Sequence, residues 1–157
     1  MSTQTVVAHD RLPRVVFTAR VADETFALPV AHIQTVFHLD SLTRVPLCPE
    51  NVLGLAHHRG VIFTVLSMRC PLGLEETLVQ SGALLMGVRW RDDNFALVVD
   101  DVGDVVHLDP HTEMAVPAHV PRSRAALIDA LYVHEGELIP VLNPAMIFDF
   151  TRALDAA

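Results

Sequence analysis

The chain has 157 residues, enough for one ordinary domain or two very small ones. Its 11 basic residues, every one an arginine, stand against 19 acidic ones for a net charge of −8, which argues against the basic stripe of a nucleic-acid binder. Apolar residues make up 51% and mean hydropathy is +0.37; that excludes bulk disorder, yet no apolar run approaches the roughly 18 residues of a membrane span.

Residues 1–12 show neither a basic leader nor a long apolar stretch and are expected to be a flexible N-terminus without a secretory signal. Val15–Val21, a polar turn at Ala22-Asp23-Glu24 and Thr25–Val30 read as a hairpin. Ala31–His38 continues as a strand, with Ile33 and Phe37 on one face and His32, Gln34, Val36 and His38 on the other. A loop over 40–51 carries Pro46 and Pro49; Val52–His58 and Val61–Leu66 then form a second hairpin about Arg59-Gly60. The pattern recurs in Leu84–Arg89, Phe95–Asp100, Val102–Leu108, a proline-punctuated loop to Ser123, and a hairpin about Glu135-Gly136. Helix is scarce. Ser123 can cap one turn over Arg124–Asp129, and Asn143-Pro144 can open a terminal helix through Leu154.

The recurrence is a duplication. An offset of 69 lays 15–43 on 84–112 with eleven identities in 29 positions, among them Phe26/Phe95, Ala27/Ala96, Leu28/Leu97, His38/His107 and Asp40/Asp109. An offset of 76 lays 52–67 on 128–143 and keeps Leu55/Leu131, His58/His134, Gly60/Gly136, Val65/Val141 and Leu66/Leu142. Five short strands per unit leave too many free edges for a flat sheet, so each unit is expected to curl into a small barrel. The expected fold is therefore all-β. It has two five-stranded barrels, about 14–82 and 83–150, within one domain spanning 13–150, and a short C-terminal helix. Strands could exchange between the barrels, and 151–157 form a tail.

With these elements in place, the sequence resembles the CheW-like domain family of bacterial chemosensory adaptors, over about Pro13 to Phe150. The matching runs are Phe26-Ala-Leu-Pro-Val30, Val52-Leu-Gly-Leu-Ala-His-His-Arg-Gly60 with Val61–Leu66, Ala96-Leu-Val-Val-Asp-Asp-Val102, and Leu138-Ile-Pro-Val-Leu142. The resemblance implies two SH3-like barrels and a cytoplasmic, non-catalytic adaptor at receptor arrays. It also implies two partners: the regulatory domain of a CheA-type histidine kinase and the cytoplasmic tip of a methyl-accepting chemoreceptor. No nucleic acid, no membrane insertion and no cofactor are implied. The candidate partner-binding residues are Ile33, Thr35, Gly54, Arg59, Gly60, Val99 and Val102. Departures from the family's pattern give, as the alternative, a paralogue of a non-flagellar pathway, pilus motility or surface sensing: the hairpin reads His57-His58-Arg59-Gly60 where the family has Asn-Leu-Arg-Gly, Thr64 and Leu66 or Ser67 stand where it has Pro and Asp, and Thr35 stands where many relatives carry an acid.

Other chemistries find little in the residues. His57 and His58 are adjacent and point to opposite faces of a strand, and no HExxH or CxxC spacing exists; Cys48 and Cys70 stand in separate segments. No GxSxG or glycine-rich phosphate loop is present. Asp100-Asp101 reads as a turn between strands, since adjacent carboxylates on a strand diverge. A small-ligand- or metal-sensing barrel is the alternative from a different class. Arg59 is the most informative residue, because a turn beside glycine has no structural need for a planar guanidinium.

Overall fold

The structure, a computed structural model, describes residues 14–46, 51–69, 71–74 and 79–149. The expected flexible start, the tail and both cysteines lie outside them. Eleven strands follow in order: β1 (Arg14–Val21), β2 (Glu24–Pro29), β3 (Ile33–His38), β4 (Val52–His58), β5 (Val61–Ser67), β6 (Leu84–Trp90), β7 (Asp93–Val99), β8 (Asp101–Leu108), β9 (Glu113–Met114), β10 (Ile128–His134) and β11 (Glu137–Leu142). They make two SH3-like barrels.

Three local expectations are corrected. The strand expected from Ala31 begins at Ile33, because Val30–His32 wind into a 3-10 turn behind Pro29, whose ring holds φ at −54°. The single helical turn, α1, spans Arg122–Ala125 and opens behind Pro121, with no side-chain cap from Ser123. Pro121 is itself the N-cap, its carbonyl accepting the Ala125 N–H, and Ile128 already belongs to β10. The described part of the terminal helix is a π-helical turn, Ala145–Asp149. Its cap is as expected: the Ala145 N–H donates to Asn143 Oδ1 at 3.0 Å.

The sheets do not follow the repeats. One has the order β8-β1-β2-β11-β10-β9 and the other β3-β6-β7-β5-β4, so each takes strands from both sides of residue 83. Replacing every strand by its repeat counterpart turns β8-β1-β2-β11-β10 into β3-β6-β7-β5-β4, which is the second sheet. The expected five strands become six in one sheet, where β9 pairs with β10; the counterpart in the other is a single bridge, Thr43–Leu55. The halves meet at four strand pairs, antiparallel between β1 and β8 and between β3 and β6, and parallel at the two central junctions, β2 with β11 and β7 with β5. Ala27 of β2 lies opposite Val141 of β11, and Ala96 of β7 opposite Val65 of β5; these are equivalent positions in the duplication.

The Phe-Ala-Leu triplets explain why those junctions can be central. Phe26 and Leu28 of β2, with Phe95 and Leu97 of β7, fill the seam between the sheets, joined there by Leu66, Leu142 and Phe148. The intervening alanines turn the other way, Ala27 into one barrel with Val16, Tyr132 and Val141, Ala96 into the other with Phe37, Phe63 and Val65. Strands covered on both faces read as continuous apolar runs.

The two interiors solve the same volume problem in opposite ways. Ala56 lies opposite Phe63 across β4 and β5, whereas their counterparts Tyr132 and Ile139 lie opposite each other across β10 and β11. The large side chain has changed strand. Ala56→Phe alone should cost about 1–3 kcal/mol by overpacking, and Phe63→Ile about 1–2 kcal/mol through the space it leaves. The double variant should recover at least about 1 kcal/mol of that sum, as read by urea denaturation. Phenylalanine is chosen because the Tyr132 hydroxyl donates to Glu113 at 3.0 Å, whereas the apolar Leu42 packs against the cluster that holds Ala56.

Burial first, and then the bond to Glu113, raise the Tyr132 phenol above its ordinary value. In the unfolded chain that phenol ionises near 10 while the native one stays protonated. Stability from this residue is therefore full below about pH 10 and falls as pH climbs toward the native value. Denaturation midpoints at pH 9 and pH 11 should diverge more for the wild type than for Tyr132→Phe.

Candidate functional site

The β4–β5 hairpin closes on two residues with positive φ, Arg59 at 50° and Gly60 at 81°, the backbone that a two-residue hairpin turn requires. The β10–β11 hairpin closes identically on Glu135 at 51° and Gly136 at 77°. Arg59 is exposed and makes no ion pair or side-chain hydrogen bond among the described residues. Its strand is anchored one residue back: the His58 ring stacks on Phe37 of β3, centroids 4.2 Å apart and planes 12° from parallel.

β3 alternates as expected, with Gln34, Val36 and His38 exposed and Phe37 buried. Thr35 is half-buried opposite Gly87 of β6. A Cβ on Gly87 would stand 3.0 Å from the Thr35 methyl and 3.1 Å from the Phe63 ring, so the glycine makes room for the threonine. Ile33 lies opposite Val88 and packs against the seam; Val102 takes the equivalent place on β8, opposite Ala19.

The seven candidate residues thus separate. Ile33, Thr35, Arg59 and Gly60 are at least partly open on one sheet, joined through the Phe37–His58 stack, while Val102 stands on the other sheet. Gly54 is buried at φ 150°, and a Cβ there would fall 2.3 Å from the Thr43 carbonyl oxygen; it shapes backbone and offers no surface. Val99 is 4% exposed and belongs to the seam core, because β7 is covered on both faces. It edges a cavity of about 520 Å³ that also meets His38, Arg69 and Asp100.

Asp100 has a role that the residue order did not announce. Its carboxylate accepts the Ala22 N–H of the β1–β2 turn and faces Arg69 Nη2, 3.3 and 3.1 Å from its two oxygens. Its own N–H donates to the Arg20 carbonyl. One side chain thereby ties the β7–β8 crossing, the end of β5 and the first hairpin together. Asp101 turns away toward Arg20 at 3.4 Å, so the two acids form no catalytic pair. Among the described residues no cluster of three or more His, Cys, Asp or Glu side chains could hold a metal ion, and no helix is long and apolar enough to cross a membrane.

Residues 15–152 match the family model of the CheW-like domain. The chain is 22% identical over 129 residues to the chemotaxis protein CheW of Bacillus subtilis, covering 82% of this chain and 83% of that one. It is 27% identical over 88 residues to the chemotaxis protein CheW of Helicobacter pylori, covering 56% of this chain and 53% of that one. Among solved structures, the scaffolding protein TtCheW of Thermoanaerobacter tengcongensis has the same fold, with a TM-score of 0.74 at 20% identity over 87% of this chain and 94% of that one.

Asp100→Ala should lower unfolding free energy by about 1–2 kcal/mol, and Asp100→Asn by less, since the amide oxygen still accepts the Ala22 N–H. Arg59→Ala should move it by no more than about 0.5 kcal/mol. Thermal and denaturant unfolding of the three variants checks the ranking.

Proposed function

The chain belongs to the CheW-like domain family, and on that premise we propose that it is a non-catalytic adaptor coupling chemoreceptors to a CheA-type histidine kinase on the inner face of the membrane. The observation that carries the reading is Arg59: a guanidinium held out on a rigid two-residue turn, with no internal partner among the described residues. Its planar fork suits a carboxylate or backbone carbonyls on another protein. Ile33 and Thr35 extend that surface along β3, Val102 supplies its counterpart across the seam, and Gly54, Gly60 and Val99 set the backbone and packing around it.

Contacts of this kind are modest in area, and arrays gain strength by multiplying them. The replacement of Asn-Leu by His57-His58 beside the arginine favours a paralogue serving pilus motility or surface sensing. His58 is committed to the Phe37 stack, so the change bears on how the tip is braced as well as on what it shows a partner.

Calorimetric titration against the cognate kinase regulatory domain and receptor tip tests the assignment. Arg59→Ala should weaken binding of one partner by about 2 kcal/mol or more, with its melting temperature close to that of the wild type. Ile33→Asp, which places a carboxylate where an apolar contact is expected, should weaken the receptor contact, melting being measured alongside. If Arg59→Ala melts far below the wild type while folded protein binds equally well, Arg59 is structural and the assignment fails.

A further inference from the structure

The duplication supplies an internal control for every surface, and one surface fails to match its counterpart. Beside Phe95, the chain's own π-helical turn closes the seam: Phe148 stacks on Phe95 with centroids 4.7 Å apart. Asp149 locks that turn down, accepting the Trp90 Nε1–H at 2.7 Å and pairing with Arg91 at 3.3 Å. Beside the equivalent Phe26, the position matching Phe148 is Leu72, and those matching Trp90, Arg91 and Asp149 are Val21, Ala22 and Gly73. The ring and the polar lock are both missing there. A groove of about 760 Å³ lies there, with Phe26, Leu72 and Leu131 buried at its base and Val120, Leu138 and Pro140 along its walls. None of the seven candidate residues lines it.

The strands under the groove have turned apolar on their outward side. Leu131 and Val133 lie opposite Pro140 and Leu138 across β10 and β11; the counterparts on β4 and β5 are Leu55, His57, Thr64 and Ile62. Leu138 stands 49% exposed. We propose that this groove is a docking site for an amphipathic helix of a partner protein, with leucine or aromatic side chains on one face and flanking arginine or lysine. Backbone pairing selects the helix. β11 is flanked by β2 and β10, and β10 is covered by β9 at Leu131 and Tyr132, so the part of the floor at Leu131 and Pro140 offers no free strand edge and an occupant there satisfies its own backbone. Charge selects its sign. Asp23 and Glu137 stand exposed on the rim with no ion pair among the described residues, whereas Glu24 is already held by Arg124. The chain's charge of −8 works against a second copy as occupant.

The test uses the full chain and two labelled helical peptides, identical in a leucine- and phenylalanine-bearing face and flanked by arginine in one and glutamate in the other. Fluorescence anisotropy should show saturable binding of the arginine peptide and at least about tenfold weaker binding of the glutamate peptide. Leu138→Glu should weaken the arginine peptide about tenfold or more, while Ile62→Glu, the matching position on the other barrel and 52% exposed, leaves it unchanged. Asp23→Lys with Glu137→Lys should reverse the preference. Absence of saturation, equal binding of both peptides, or equal effects of Leu138→Glu and Ile62→Glu would each overturn the proposal. Light scattering that shows self-association abolished by Leu138→Glu would instead assign the groove to a second copy.

Discussion

The centre of each sheet rests on a short parallel contact, Ala27 against Val141 in one and Ala96 against Val65 in the other. They are two of four places where strands of one repeat pair with strands of the other, the antiparallel β1–β8 and β3–β6 pairs being the rest. Within itself each repeat pairs two hairpins and leaves a further strand, β3 or β8, whose partner lies in the other repeat. Alanine at both crossings leaves room inside each barrel for rings such as Phe63 and Tyr132, while the flanking Phe and Leu side chains fill the seam. The barrels and the core between them are therefore one packing problem: Leu28 and Leu97 belong to the seam, and the alanines beside them belong to separate interiors. No cut along the chain separates these layers.

The sequence and the fold agree most closely where side chains alternate. The hairpins, the turns at Arg59-Gly60 and Glu135-Gly136, the inward face of β3 and the duplication could all be read directly, since a period of two and a positive-φ turn leave a mark on residue type. Strand partnership leaves no such mark. Val65 and Val141 look like any buried valine, and only the assembled sheet shows that each faces an alanine from the other repeat. Val99 was legible as apolar but not as core, because both faces of β7 are covered. Asp100 was legible as a turn acid, while its partners Ala22 and Arg69 lie 78 and 31 residues away. The helix opens two residues before Ser123, with the Pro121 carbonyl and no side chain at the cap, a choice that residue type alone does not decide.

The candidate site divides in the same way. Arg59 could be singled out from its neighbours, since glycine follows it and nothing in a turn calls for a guanidinium. Its bracing by the His58–Phe37 stack could not, for the two rings are 21 residues apart by number. That stack makes the departure from the family's Asn-Leu-Arg-Gly structural as well as chemical, because the second histidine does part of the holding.

The exchange of strands between repeats also bears on ancestry. A unit of about 70 residues that trades hairpins with an identical copy is a swapped homodimer, and a homodimer must show the same face twice. Joining two such units into one chain removes that obligation. Each position then has two independent fates, and this sequence records them: phenylalanine or leucine above the seam, arginine or glutamate at the hairpin tip, histidine or valine on the strand beside it. With both units in one chain the object has a distinguishable left and right, which any component that must hold different neighbours on its two sides requires.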